Sequence, residues 1–177
     1  GYKQWHYRYN ELLEQDFNQE NVYISINTFY STFRRLEYIK ELKAQFIDLD
    51  IYKTGFTKEQ IIMHLEADYF NKSIPRPNLI IDSGRGLYLI WLLNSVPSKA
   101  LPLWKAIEEY LYSVLKPFGA DRQALDPTRI LRVPGSINSK SKTTVKVIEQ
   151  YDYIYDLREI QNEYLPELEE RKAKKKG

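Results

Sequence analysis

The stretch Phe46-Ile47-Asp48-Leu49-Asp50-Ile51-Tyr52 constrains this chain more than any other: an apolar run broken only by two acids, two residues apart. Alternation along a strand sends Phe46, Asp48, Asp50 and Tyr52 to one face and Ile47, Leu49 and Ile51 to the other. Two carboxylates then share a face. A strand this apolar belongs inside a sheet, where a charge is costly unless something compensates it. A pair of carboxylates suits Mg²⁺ or Mn²⁺ and can hold two ions about 3.5–4 Å apart, the separation used for in-line phosphoryl displacement. The alternative is an edge strand whose acids face water, and Asp-x-Asp alone leaves both open.

Around this run the spacing of apolar residues predicts a mixed α+β (α/β) domain without a regular βαβ repeat or a glycine-rich fingerprint after the first strand. Trp5, Tyr9, Leu12, Leu13 and Phe17 predict a helix within residues 3–20, followed by a short strand from Val22 to Ile26. Phe29, Phe33, Leu36, Ile39 and Leu42 lie three or four apart and predict a helix from Thr28 to Leu42, with Arg34 and Arg35 facing solvent. Thr57 followed by Gln60 is a capping-box pattern opening a helix over 58–70, which Pro75 and Pro77 end. Asn78 to Asp82 and Leu87 to Leu93 read as a hairpin joined by Ser83-Gly84-Arg85-Gly86. A helix from Ser98 to Leu115 stops before Pro117, strands follow at Ile130–Val133 and Thr143–Tyr151, and a short helix begins near Leu157.

Two further stretches carry chemistry. In Ser83-Gly84-Arg85-Gly86-Leu87-Tyr88 the glycines permit close backbone approach, so that successive N–H groups, the serine hydroxyl and the Arg85 guanidinium form an inventory suited to a triphosphate. A plain hairpin turn with a solvent-facing arginine is the alternative. In Leu125 to Lys140, Asp126 stands just before a strand, where it can complete a three-carboxylate metal site, the alternative being an ordinary Asp-Pro-Thr turn before a strand decorated with arginines. Arg129 and Arg132 follow it, and the Pro134-Gly135 turn displays Ser136, Asn138 and Lys140 as donors to phosphate or base.

These three stretches, in this order, resemble the archaeo-eukaryotic primase superfamily in the primase-polymerase form found in replication proteins of plasmids, phages and other mobile elements. The resemblance spans roughly Phe46 to Lys140. It implies an RRM-like sheet packed against helices with a second small α/β unit. It implies that Asp48, Asp50 and Asp126 ligate two Mg²⁺ or Mn²⁺ ions, that Ser83, Gly84, Arg85, Gly86 and Tyr88 hold the phosphates of a nucleoside triphosphate, and that Arg129, Arg132, Asn138 and Lys140 lie near nucleotide or template. The implied activity is template-directed primer synthesis on single-stranded DNA, with a helicase or a helical priming accessory as partner elsewhere in the protein. One departure stands out: the superfamily usually has a histidine where this chain has Tyr88. A replication initiator that uses the fold only to bind DNA is therefore the rival expectation, and a metal-dependent nuclease a third, which the phosphate-binding turn disfavours.

Composition excludes other classes. With no cysteine there is no thiolate metal site, disulfide framework or cysteine nucleophile, and His6 and His64 lie too far apart to make a ligand pair. The formal net charge of +2 gives no global pull on nucleic acid, although fifteen tyrosines, among them Tyr2, Tyr7, Tyr9, Tyr151, Tyr153 and Tyr155, offer either stacking surfaces or ordinary sheet filler. No apolar run approaches the roughly 20 residues of a membrane span, and no signal peptide opens the chain, so the expected location is cytoplasmic. The glycine start and the charged stretch after Leu165 suggest an excised domain: residues 1–165 as the catalytic unit and 166–177 as an exposed helical tail or linker.

Overall fold

A computed structural model describes residues 3–176, which leaves Gly1, Tyr2 and Gly177 outside the description. In chain order the elements are α1 (Tyr9–Leu13), β1 (Tyr23–Ser25), β2 (Thr28–Phe29), β3 (Ile39–Leu49), α2 (Lys58–Asp68), β4 (Leu79–Asp82) and β5 (Leu87–Pro97). Then follow α3 (Leu101–Leu115), β6 (Ile130–Arg132), β7 (Ile137–Asn138), β8 (Thr143–Thr144), β9 (Lys146–Gln150), α4 (Leu157–Tyr164) and α5 (Glu167–Lys176). Five strands make one antiparallel sheet in the order β2-β3-β5-β4-β9, and the pairs β1-β6 and β7-β8 stand beside it. It is an α+β fold, as expected.

The hairpin β4–β5 is the centre of the sheet because both its strands are apolar on both faces; Leu87 to Trp91 are buried without alternation. Helix α3 packs on β3 through Trp104, whose indole N–H donates to the Ala44 carbonyl at 2.8 Å and whose ring meets Phe46 at 5.6 Å. On this helix Glu108 is fully buried and accepts from the backbone N–H of Phe46 (2.8 Å) and from the amide of Gln45 (2.8 Å). Burial pushes its carboxyl up to about 8. Glu108 thereby satisfies a strand N–H that the short β2 does not reach, since β2 pairs only with Ile39 and Glu41. Farther along, the backbone of Gly119–Asp121 takes over that edge: Asp50 N–H donates to Gly119 and Asp121 N–H to Asp48, each at 2.8 Å.

Several expectations hold: the capping box of α2, the hairpin, α3 and α4. The helix expected over Thr28–Leu42 does not form. Phe29 and Thr28 sit opposite Ile39 and Glu41, so Lys40 is an extra, bulged residue in β3. The bulge reverses the strand's alternation, and Ile39 and Leu42 both turn inward at a three-residue spacing that mimics a helix. Only Tyr9–Leu13 of the 3–20 segment is helical. The strand expected over Thr143–Tyr151 is split at buried Val145 between β8 and β9, which pair with different partners. Arg34, expected in solvent, is half-buried and donates to the Thr128 carbonyl.

Candidate active site

The end of β3 and the turn between β4 and β5 are neighbours because β3 pairs with β5 in a register that sets Asp48 opposite Tyr88 and Leu49 opposite Leu87. Antiparallel pairing therefore carries the Ser83–Gly86 turn to the point where the two acids emerge. Gly86 is required there, because a Cβ on it would lie 2.0 Å from the carbonyl oxygen of Leu49. Gly84, at φ +106°, lies against the next wall, where a Cβ would meet Ser141 Oγ at 2.3 Å and the Asn138 amide at 2.7 Å. Lys58, from α2, braces the turn with bonds to Asp82 (2.7 Å) and to the Gly84 carbonyl (2.8 Å).

These elements enclose a cleft of about 220 Å³. Asp48 and Asp50 line it, together with Ser83, Arg85, Gly86 and Tyr88 from the hairpin and Arg129, Arg132, Asn138 and Lys140 from the later stretch. Ten residues drawn from three separated segments thus meet in one place. Tyr23, Tyr52 and Ile130 complete the wall.

The electrostatics of the cleft are unbalanced at Asp48. Burial raises its carboxyl to about 7, Asp50 and Asp121 add to the rise, and Arg129 and Lys53 oppose it. Lys53 sits 3.2 Å from Asp50. Arg129 lies 4.0 Å from Asp121, and its buried Nε has no hydrogen-bond partner among the described residues. Arg85 is exposed and stacks its guanidinium 4.4 Å from the centre of the Tyr52 ring.

Asp126 does not join this group. It is exposed, lies outside the cleft lining, and its carboxylate accepts from Thr128, 2.8 Å from the backbone N–H and 2.9 Å from the hydroxyl. The Asp-Pro-Thr turn, the ordinary alternative to a metal role, is what occupies it. Besides Asp50, the acid that neighbours Asp48 is Asp121, which like Asp126 is not among the residues lining the cleft. It is brought there by the Leu49–Ala120 bridge, which the left-handed Gly119 (φ +87°) permits, and its Oδ1 accepts from Gln123 N–H at 3.0 Å. Gly119-Ala120-Asp121 was visible in the sequence as a turn followed by an acid, but only pairing with β3 distinguishes it from Asp126. Among the described residues no three His, Asp or Glu side chains are grouped so as to hold a metal ion.

Two other assignments change. The turn donates less backbone than expected, because Ser83 N–H bonds to Gly86 O (3.1 Å) and Gly84 N–H to Asp82 (2.9 Å). Asn138 is buried and works as a clasp, donating to the Ser83 carbonyl (2.7 Å) and accepting from Lys140 N–H (3.0 Å). Tyr88 is buried, accepts from Arg132 N–H at 3.2 Å, and is pushed up to about 12, chiefly by burial. Sequence reasoning missed Asn21, whose left-handed backbone (φ 55°) presents Oδ1 to Arg132 Nη1 at 2.8 Å while the ring of Tyr23 lies 4.9 Å from the same guanidinium.

No family model matches the chain. A replication protein of Clostridium perfringens is 69% identical to it over 175 residues, which is 99% of this chain and 43% of that protein. The chain thus spans less than half the length of this curated relative. Among solved structures, the AEP domain of the cyanophage S-2L primase-polymerase has a TM-score of 0.61 at 17% identity, over 79% of this chain and 68% of that one. The fold is that of an archaeo-eukaryotic primase-polymerase domain. In that fold the cleft between the Asp48 strand and the Arg85 turn is the concave, polar surface where three segments distant in sequence converge. Among the described residues no helix is long and apolar enough to cross a membrane.

Proposed function

We propose that this chain is the catalytic domain of a mobile-element replication protein and carries out metal-dependent, template-directed nucleotidyl transfer, making primers on single-stranded DNA. The observation that carries the reading is the cleft itself, where two acids face a turn bearing Ser83 and Arg85 and three further cations, Arg129, Arg132 and Lys140, stand within the same wall. The identity to a replication protein supports the setting.

The donor set fits divalent cations. Asp48 is held above the ordinary carboxylate range by burial and by two neighbouring acids, a deficit of positive charge that Mg²⁺ or Mn²⁺ would supply, and every nearby donor is oxygen. Asp48 and Asp50, with Asp121 in place of Asp126, would hold the ions. When bound, two such ions lower the pKa of an attacking 3′-hydroxyl and neutralise the triphosphate and the departing pyrophosphate. Ser83 and Arg85 bind the incoming nucleotide's phosphates, one by its hydroxyl and the other by a guanidinium already oriented on Tyr52. Arg129 brings a guanidinium to the cleft wall, and Arg132, fixed by Asn21 and Tyr23, orients the nucleotide or the template end. Asp50 would hold a cation only by giving up its pairing with Lys53. A helicase or helical priming accessory would belong to the part of the longer protein that residues 1–165, and the helical tail within 166–177, do not supply.

One observation favours a second reading. Tyr88 replaces the usual histidine and its hydroxyl is engaged by Arg132 N–H, an arrangement compatible with a replication initiator that binds DNA without catalysis.

The test is incubation with single-stranded template, labelled nucleotides and Mg²⁺ or Mn²⁺. Asp48→Ala abolishes elongated products, Asp121→Ala reduces them by at least about a hundredfold, as loss of a charge-stabilising group at a reacting centre does, and Asp126→Ala stays near the parent. DNA binding without products, unchanged by all three substitutions, establishes the initiator reading instead.

A further inference from the structure

Away from the cleft, the loop between β2 and β3 does something a folded domain ordinarily avoids. Tyr30 is 72% exposed and Phe33 60% exposed. The loop is nevertheless built: Tyr30 N–H donates to Tyr38 O at 2.8 Å, Tyr38 N–H to Arg35 O at 3.0 Å, and Phe33 N–H to Ser31 Oγ at 3.3 Å. Each ring carries a cation, Arg35 at 5.7 Å from the Phe33 centroid and Lys40 at 5.9 Å from that of Tyr30. Among the described residues neither cation has an acid partner. Residues 28–40 contain Arg34, Arg35 and Lys40 against the single acid Glu37.

The loop is tied to the cleft. Arg34 donates to the Thr128 carbonyl and Asn27 to that of Pro127 (2.9 Å), and the next residue, Arg129, lines the cleft. The bulged residue Lys40 owes its outward direction to the same irregularity that turns Ile39 and Leu42 inward.

We propose that this loop is the track for single-stranded DNA leading to the cleft, with Phe33 and Tyr30 stacking unpaired bases and Arg35 and Lys40 receiving the phosphates between them. A flat ring with a mobile cation beside it matches the alternation of base and phosphate along a single strand. The excess of cations over the single acid Glu37 suits a polyanion better than a protein surface. The inference rests on the nucleotidyl-transfer reading for what the strand is used for, but not for the binding itself.

Binding of a fluorescent oligo-dT to the protein, followed by anisotropy, tests it. Phe33→Ala and Tyr30→Ala each weaken binding about tenfold, within the range that base–aromatic stacking supports, while Phe33→Trp keeps the affinity and its emission is quenched on binding. Arg35→Ala and Lys40→Ala together lower the dependence of log Kd on log salt by about 1.4, the value for two phosphate contacts on a single strand. Binding of a fluorescent nucleoside triphosphate in the cleft stays unchanged in all of these, which also shows that the variants are folded. Parental oligo-dT affinity in the Tyr30→Ala/Phe33→Ala double variant overturns the proposal and leaves the loop to a protein partner. If the parent makes no primer yet binding falls as stated, the nucleotidyl-transfer reading fails and this one stands. If primers are made and binding is unaffected, the reverse holds.

Discussion

Replacing Asp48 by asparagine removes the charge that the cleft tolerates least. The folded-state pKa, about 7 against 3.8 for the free group, lies on the side opposite to the usual acid in a salt bridge. Between those two values the unfolded chain binds fewer protons than the folded one, so stability falls as pH rises. The penalty is absent below pH 3.8, grows through the interval, and is complete above about 7. A tenfold factor in an ionisation constant is worth about 1.4 kcal/mol, which makes the full penalty roughly 4 kcal/mol. Asparagine keeps the shape without the charge. Asp48→Asn is therefore expected to match the parent near pH 4 and to exceed it by up to about 4 kcal/mol at pH 8.5, or roughly 8–16 °C in Tm for a domain of this size. Taking the difference between the two proteins cancels the titration of Glu108, which is also raised but unchanged by the substitution. Saturating Mn²⁺ at pH 8.5 should stabilise the parent and leave Asp48→Asn where it was, because a cation that binds only the folded state adds stability by mass action. Denaturant and thermal unfolding across pH 4–8.5, with and without Mn²⁺, measure all of this. Parallel pH profiles, or a variant less stable than the parent at pH 8.5, would refute the account of a charge-deficient cleft.

The two glycines that shape the turns should respond differently. Gly86→Ala forces a methyl group to 2.0 Å from Leu49 O, beside Asp50, and costs about 3 kcal/mol or more in thermal unfolding; Gly135→Ala, which meets nothing within 4 Å and carries only its φ of +92°, costs about 1 kcal/mol. Tyr88→His leaves primer synthesis equal to the parent or higher if that position faces the nucleotide, whereas complete unfolding by circular dichroism would show that it serves only the core.

Much of this protein was legible without coordinates where neighbours in sequence are neighbours in space. The Thr57–Gln60 capping box, the Ser83–Gly86 hairpin and the amphipathic stripe of α3 are local, and local chemistry settles them. The pair Asp48–Asp50 was legible as near neighbours along the chain, although the strand expected to run to Tyr52 ends at Leu49 and Asp50 stands just beyond it, where the backbone turns into a 3-10 turn over Ile51–Lys53. What needed the tertiary structure was everything decided by a partner strand. The bulge at Lys40 imitated a helix because inward positions three apart look alike whether a helix turns or a strand slips. That Asp121 and not Asp126 lies beside Asp48 depended on which one pairs with the backbone of Asp48, a contact across more than seventy residues with no local signature. Local spacing determined which side chains were capable of chemistry, and pairing across the sheet decided which of them share a cleft, because hydrogen-bond register is set between segments and not within them.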